Sequence, residues 1–263
     1  MQKNIRLSLG NQTVKIEAGE LVGFEVAGHE FIHQKGSPGW RNSDTEMFPI
    51  IGPTDQADFR IQTPKGVAIQ DQHGLLREMK YRLTEQTVTS AVFKKRYKAN
   101  NEVKNSKYPD KSFESDLSWP YNFEFTKAFV LSDDGLKVSF IVEGEKDMPF
   151  MLGYHPAFKV HTTNASIKTS MKSISIAEVM AVGSRALHIS NCEQIVLSDS
   201  QSVEISTTGF GDYMLWTEVP NMVCIEPITF YPYAVAQANL HEGFTHLTSD
   251  KEEYEVRIKP FKN

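Results

Sequence analysis

Cysteine is nearly absent: only Cys192 and Cys224 occur, and they form no metal-ligand spacing. Both are expected as buried, reduced thiols of a cytosolic protein rather than as a disulfide. No apolar run reaches the eighteen or so residues that a membrane span needs, so no membrane partner is expected. The opening stretch MQKNIRLSLG carries no apolar h-region, and no secretory signal is expected there. A basic excess is also missing. The net charge of −5 argues against nucleic acid as the main partner. Helical periodicity is the last absence, since no stretch places apolar residues at i, i+3, i+4 and i+7 over three or more turns.

What is present is strand pattern. YNFEFTKAFVLSDDGLKVSFIVEG alternates on both sides of Asp133-Asp134-Gly135, a hairpin signal. YRLTEQTVTSAVFKKRYKA, QIVLSDSQSVEIST and the C-terminal YEVRIKP alternate as well. Strands with turns at short intervals and no helices between them predict an all-β chain, an antiparallel sandwich or barrel. Forty per cent apolar residues suffice for a sizeable core, and no repeat or low-complexity linker divides the chain. One domain over residues 1–263, soluble and cytoplasmic, is therefore expected.

Residues 29–33 read HEFIH, which matches the His-Glu-x-x-His zinc protease motif. That motif works on a helix, where both histidines share one face. Here Gly28 precedes it, Gly36, Pro38 and Gly39 follow, and Val22, Phe24 and Val26 alternate as in a strand. The segment reads as a hairpin, with a turn at Ala27–Glu30 and a returning strand Phe31-Ile32-His33. At about 3.3 Å per residue, His29 and His33 would stand roughly 13 Å apart. Gly39 occupies the place of a third ligand, and no metal site is expected.

The stretch from Phe93 to Lys111 carries seven Lys/Arg against two acids. It reads as a solvated strand edge, where lysines discourage edge-to-edge pairing, with a phosphorylated ligand as the sharper alternative.

Three stretches set titratable groups among Gly, Pro and aromatic residues: Gln72-His73-Gly74-Leu75-Leu76-Arg77, Gly153-Tyr154-His155-Pro156-Ala157-Phe158, and Val223-Cys224-Ile225-Glu226-Pro227. Pro156 restricts His155 to extended backbone. Glu226 ends a run that otherwise reads as a buried strand, and a carboxylate there must be paired, neutral or functional.

Together with Trp40, Phe48-Pro49-Ile50-Ile51-Gly52, Pro120-Tyr121-Asn122-Phe123 and Leu215-Trp216-Thr217, these stretches resemble the aldose 1-epimerase (mutarotase) family, in its branch of shorter bacterial members. The resemblance runs from about Ala18 onward. It implies a large antiparallel β-sandwich of the galactose mutarotase-like supersandwich type, with a sugar in a groove on one sheet. It also implies Glu226 as the base on the anomeric hydroxyl and His155 as the acid on the ring oxygen. His73 would hydrogen-bond the substrate and help polarise the ring oxygen, and Arg77 would contact the substrate or support the site. Many members place an Arg after the Gly of Phe-Pro-Ile-Ile-Gly; this chain has Pro53, and Arg60 and Arg77 are the candidates to replace it. Trp40, Trp119 and Trp216 are candidates for a stacking platform, with core packing as the alternative. A small-molecule sugar is the implied partner, no cofactor is required, and a carboxylate beside His155 is expected to raise its pKa.

Two rival readings stand beside this one. A glycoside hydrolase needs a second carboxylate facing Glu226, for which Asp212 and Glu218 are candidates. A sugar-binding protein on the same fold needs neither.

Overall fold

The computed structural model describes residues 4–41 and 44–262. Alternating apolar residues produce mostly strands, and two antiparallel sheets dominate. The larger has nine strands in the order Ser173–Ser175, Ser166–Lys168, Gln194–Ser198, Ser202–Thr208, Lys251–Phe261, Gly135–Gly144, Phe123–Ser132, Ser90–Tyr97 and Arg82–Gln86. The smaller runs Leu187–Ile189, Asp212–Trp216, Met222–Ile228, Gly153–His155 and Thr45–Met47, with Ala157–Lys159 also paired to Met222–Ile228. A four-stranded sheet of Asn4–Leu9, Gln12–Glu17, Glu20–Val26 and His29–Glu30 adjoins them.

The two large sheets meet through aromatic contacts. Phe140 and Tyr154 lie 5.0 Å apart between ring centres, and Phe48 and Phe125 lie 5.3 Å apart. Such pairs add to the apolar area that they bury. Phe125, Phe140, Tyr154, Ile225 and Val256 are fully buried there. The sandwich expected from the sequence is observed.

Details differ from the expectation in instructive ways. Ser132 pairs with Gly135, so Asp133 and Asp134 alone make the turn. Gly135 has φ +112, and a Cβ there would meet the Ile258 carbonyl at 2.4 Å. The HEFIH segment does form a hairpin, but its turn is only Ala27-Gly28 and the returning strand is His29–Glu30. Val22 sits at a register shift, so Leu21 and Phe24 take the buried face in place of a simple alternation. Ser90–Tyr97 is an inner strand, covered by Arg82–Gln86. Its cations are therefore not edge guards: Lys94 and Arg96 pair with Glu124 on the next strand, and Lys95 is buried 3.9 Å from Glu46. A short helix, Ile176–Val182, was not foreseen, because two turns are too few for a period to register. Its one legible signal is the capping box Ser175–Glu178. Among the described residues, no helix is long and apolar enough to cross a membrane.

Candidate functional site

Strand register builds the centre of the site. Gly153 pairs with Ile228 and Ala157 with Cys224, which sets His155 opposite Glu226. Pro156 and Pro227, which lack N–H groups, lie between these two recorded pairs, where the ladder is interrupted. On the other flank Met214 lies opposite Glu226 and Trp216 opposite Cys224. Because strand side chains alternate, this set shares the sheet's outer face, while Tyr154 and Glu46 turn inward to the core. The outer face floors a cavity of about 610 Å³. His155 Nε2 is 3.3 Å from Glu226 Oε1, and the glutamate is 2 % exposed.

Both groups are pushed toward their neutral forms. Burial alone raises Glu226 well above the usual carboxylate range. Burial, helped by the Arg77 charge, lowers His155 to about 4. The expected upward shift of His155 is therefore not observed, since loss of water dominates and the neighbouring Glu226 is itself held toward the neutral carboxyl. The close contact then describes a pair that shares one proton, either on the carboxyl or on the imidazole.

His73 is held by its backbone. It has φ +73, and its N–H and its Nδ1 both point to the Ile51 carbonyl, at 3.1 and 3.0 Å. Phe48 N–H donates to the His73 carbonyl in turn. Gly74 follows with φ +70, and a Cβ there would meet the Phe48 carbonyl oxygen at 2.2 Å, so no other residue fits. A carbonyl only accepts, so Nδ1 carries the proton. Burial, His155 and Arg77 hold the ring well below its ordinary pKa, which leaves Nε2 bare. In this tautomer His73 Nε2 is an acceptor and carries no proton of its own.

Trp40 and Trp216 flank the pair, with ring centres 5.4 and 6.2 Å from His155. Arg77 lies on the cavity wall, on the 3-10 turn Leu75–Glu78. Pro53 is on the wall too, and the preceding Gly52 packs against Pro232, with space for no Cβ. Arg60 is not brought in. It lies outside the lining and pairs with Glu114 at 2.9 Å, so Arg77 is the one of the two candidates placed at the site. Trp119 is likewise absent from the lining, being fully buried near Tyr121 and Phe244. Asp212 receives His188 at 2.7 Å and the Asn191 N–H, and does not line the cavity; Glu218 does. Sequence reasoning missed Arg41, Thr45 and Tyr233, which also line it. Tyr233 follows Phe230-Tyr231-Pro232, an aromatic cluster that was the available signal.

Metal-ligand geometry occurs here rather than at HEFIH. His155, Cys224 and Glu226 present ligand atoms within 4.8 Å of one another. Burial and Glu226 push the Cys224 thiol well above its ordinary value, so it is a protonated thiol rather than a ready thiolate ligand. In the HEFIH segment His33 Nε2 donates to the Pro38 carbonyl at 3.1 Å, while the His29 ring lies 4.1 Å from that of His161. Glu30 accepts from the Phe24 and Ile32 N–H groups. Both cysteines are free and buried.

Fold and floor together define an antiparallel β-sandwich with a groove on one sheet, and comparison with known proteins agrees. The aldose 1-epimerase family profile matches residues 57–212, and the chain belongs to that family. Among curated proteins it is 28% identical over 157 residues to Protein LacX of Lactococcus lactis subsp. lactis, covering 57% of this chain and 46% of that one. The match thus spans about half the length of the curated relative. Among solved structures, a galactose mutarotase-like protein from Lactobacillus casei ATCC 334 superposes with a TM-score of 0.78 at 16% identity, covering 98% of this chain and 100% of that one. A galactose mutarotase related enzyme from Lactobacillus acidophilus gives 0.78 at 17%, covering 99% of each chain. A galactose mutarotase-like protein from Clostridium acetobutylicum gives 0.72 at 15%, covering 100% and 96%. At these identities the likeness is one of fold.

Proposed function

We propose that the protein is an aldose 1-epimerase that interconverts the α and β anomers of a hexose or hexose phosphate. The observation that carries the reading is the 3.3 Å approach of His155 Nε2 to Glu226 Oε1 on the cavity floor. Anomer exchange needs a proton removed from O1 and a proton delivered to the ring oxygen. Both oxygens are bonded to the same carbon, so a base and an acid a hydrogen-bond length apart suit them.

The shared proton fits the cycle. With the proton on His155, the Glu226 carboxylate takes the O1 proton while the imidazolium protonates the ring oxygen. The ring opens to the aldehyde. The pair now holds its one proton on Glu226, the placement that burial favours. Rotation about the C1–C2 bond presents the other carbonyl face, and closure runs the transfers backward. No metal or nucleotide enters these steps. His73 Nε2 accepts a sugar hydroxyl and orients the ring, Arg77 contacts the substrate, and Trp40 and Trp216 enclose its apolar faces.

Magnetisation-exchange NMR of anomeric protons tests this on a panel of free and 6-phosphorylated hexoses. Wild type accelerates exchange of at least one sugar, and Glu226→Gln and His155→Ala each lower the rate by about 10²–10⁴. Full activity in either variant sinks the assignment. A second reading, a sugar-binding protein on the same fold, is favoured by Pro53 standing on the wall where many relatives carry Arg. Binding without exchange in wild type would establish it. A hydrolase is disfavoured because an imidazole, not a second carboxylate, faces Glu226.

A further inference from the structure

Three cations stand on the cavity wall: Arg41, Arg77 and Lys111. The acids on the same wall are Glu218 and Glu226, and burial holds Glu226 toward the neutral carboxyl. This cationic lining occurs in a chain whose net charge is −5. Most other cations of the basic stretch are matched. Lys94 and Arg96 pair with Glu124, Lys104 with Asp116 at 2.8 Å, and Lys107 with Asp71 at 2.7 Å. Among the described residues, no carboxylate lies within ion-pair distance of Arg41 or Lys111. Arg77 has only Glu78, Nε to Oε1 3.7 Å, and that carboxylate already accepts from Ser106 at 2.8 Å.

Lys111 is placed rather than trailing. Its N–H donates to the Lys107 carbonyl at 2.8 Å. Lys107 and Asn105 grip the two oxygens of Asp71, two residues before His73. The loop is thereby tied to the segment that carries His73 and Arg77. Neutralising Asp71 in this way also removes a negative charge from beside the cavity.

A neutral hexose offers only hydroxyls and a ring oxygen, which neutral donors and acceptors satisfy, and it brings no negative charge to match these cations. The cavity, at about 610 Å³, has room for a hexose with one further group. We infer that the site takes an aldose bearing an anionic group remote from C1, a phosphate ester or a carboxylate. Arg41 and Lys111 receive the anion at the exposed rim, with the more sheltered Arg77 inside them. This rests on the epimerase reading only in placing C1 at the His155–Glu226 pair.

Calorimetric binding and anomer-exchange NMR on glucose, galactose, their 6-phosphates and the corresponding uronic acids form the test. The expected result is binding of one anionic class at least about 30-fold tighter than the parent sugars at low salt, a gap that narrows as salt rises. Preference for the phosphates or for the uronates identifies the anion. Arg41→Gln and Lys111→Gln each weaken anionic-sugar binding by about tenfold. Equal affinity for charged and neutral sugars overturns the inference, as do Gln variants that hold the anionic sugar like wild type; exchange of free hexoses would still support the epimerase reading. Tight, salt-sensitive binding of an anionic sugar with no exchange of any sugar supports the anionic site and overturns the epimerase reading instead.

Discussion

A single buried glutamate sets most of the behaviour expected at the residue scale. Glu226 has its folded-state pKa raised by burial, so above the unfolded value of about 4.5 the unfolded chain releases a proton that the folded chain retains. Stability is therefore lost as pH rises from there toward the raised folded value. Glu226→Gln keeps the shape and removes the titration. It is expected to unfold later than wild type at pH 8, by about 1–2 kcal/mol in urea titrations, with the difference vanishing near pH 4. Under the proposed mechanism activity follows a different rule, since the pair would work only while it holds one proton. Rates should fall as pH drops through about 4, where His155 also protonates, and fall again above the raised value of Glu226. A pH profile of kcat/KM that instead breaks near 6.5 would mean an ordinary, solvated imidazole.

Below the cavity floor, the strand Thr45–Met47 is held by buried charge. Lys127 is fully buried and lies 2.6 Å from both Asp44 and Glu46. Tyr154, the neighbour of His155, donates to Asp44 at 2.6 Å, and the Leu21 N–H reaches its other oxygen. Tyr81 donates to Glu46 at 2.7 Å, and Lys95 donates to the Leu76 carbonyl at 2.8 Å, next to Arg77. One network thus ties the strand of His155 and the turn of Arg77 to the nine-stranded sheet. Burial pushes Asp44 up to about 6 against the pull of Lys127. For Glu46, burial acts upward as well, but Lys127 and Lys95 outweigh it and hold the group down. Lys127→Met leaves two carboxylates facing each other with only the more distant Lys95 beside Glu46. A loss of about 3–5 kcal/mol at pH 8 is expected, smaller at pH 5, where protonation of Asp44 relieves the repulsion. Equal losses at both pH values in chemical denaturation would show that packing, not charge, carries the effect. Nothing in the sequence announced this network, because Asp44, Lys127 and Tyr154 lie far apart in the chain and meet only when the sheets close. His155 and Glu226 were legible for the opposite reason: each is marked locally, by a following proline and by a titratable group inside an apolar run. Arg60 failed as a candidate because its side chain belongs to a pair with Glu114, which one sequence does not reveal.

Across the whole molecule, the three tryptophans divide between regions. Trp40 and Trp216 border the cavity, whereas Trp119 is enclosed in the core. Sugar binding is expected to change the fluorescence of the first two only. Trp40→Phe combined with Trp216→Phe should abolish the sugar-dependent change and leave the emission lost on unfolding; a sugar response that survives in that double variant would place the ligand elsewhere. The gross sandwich was readable because alternation and turn chemistry are local. The sheet order was not, since it depends on pairings such as Ser202–Thr208 with Lys251–Phe261.

Cys224 adds something that the proposed reaction does not use. Its thiol lies beside the pair, its Sγ within 4.8 Å of the ligand atoms of His155 and Glu226, fully sheltered from water and with its proton retained. The S–H stretch falls in an infrared window where proteins are otherwise almost transparent, and its frequency follows the local electric field. Moving the shared proton between Glu226 and His155 turns a neutral neighbour into an ion pair a few ångströms from that bond. The protein therefore carries a native vibrational probe of its own proton inventory, readable without any label.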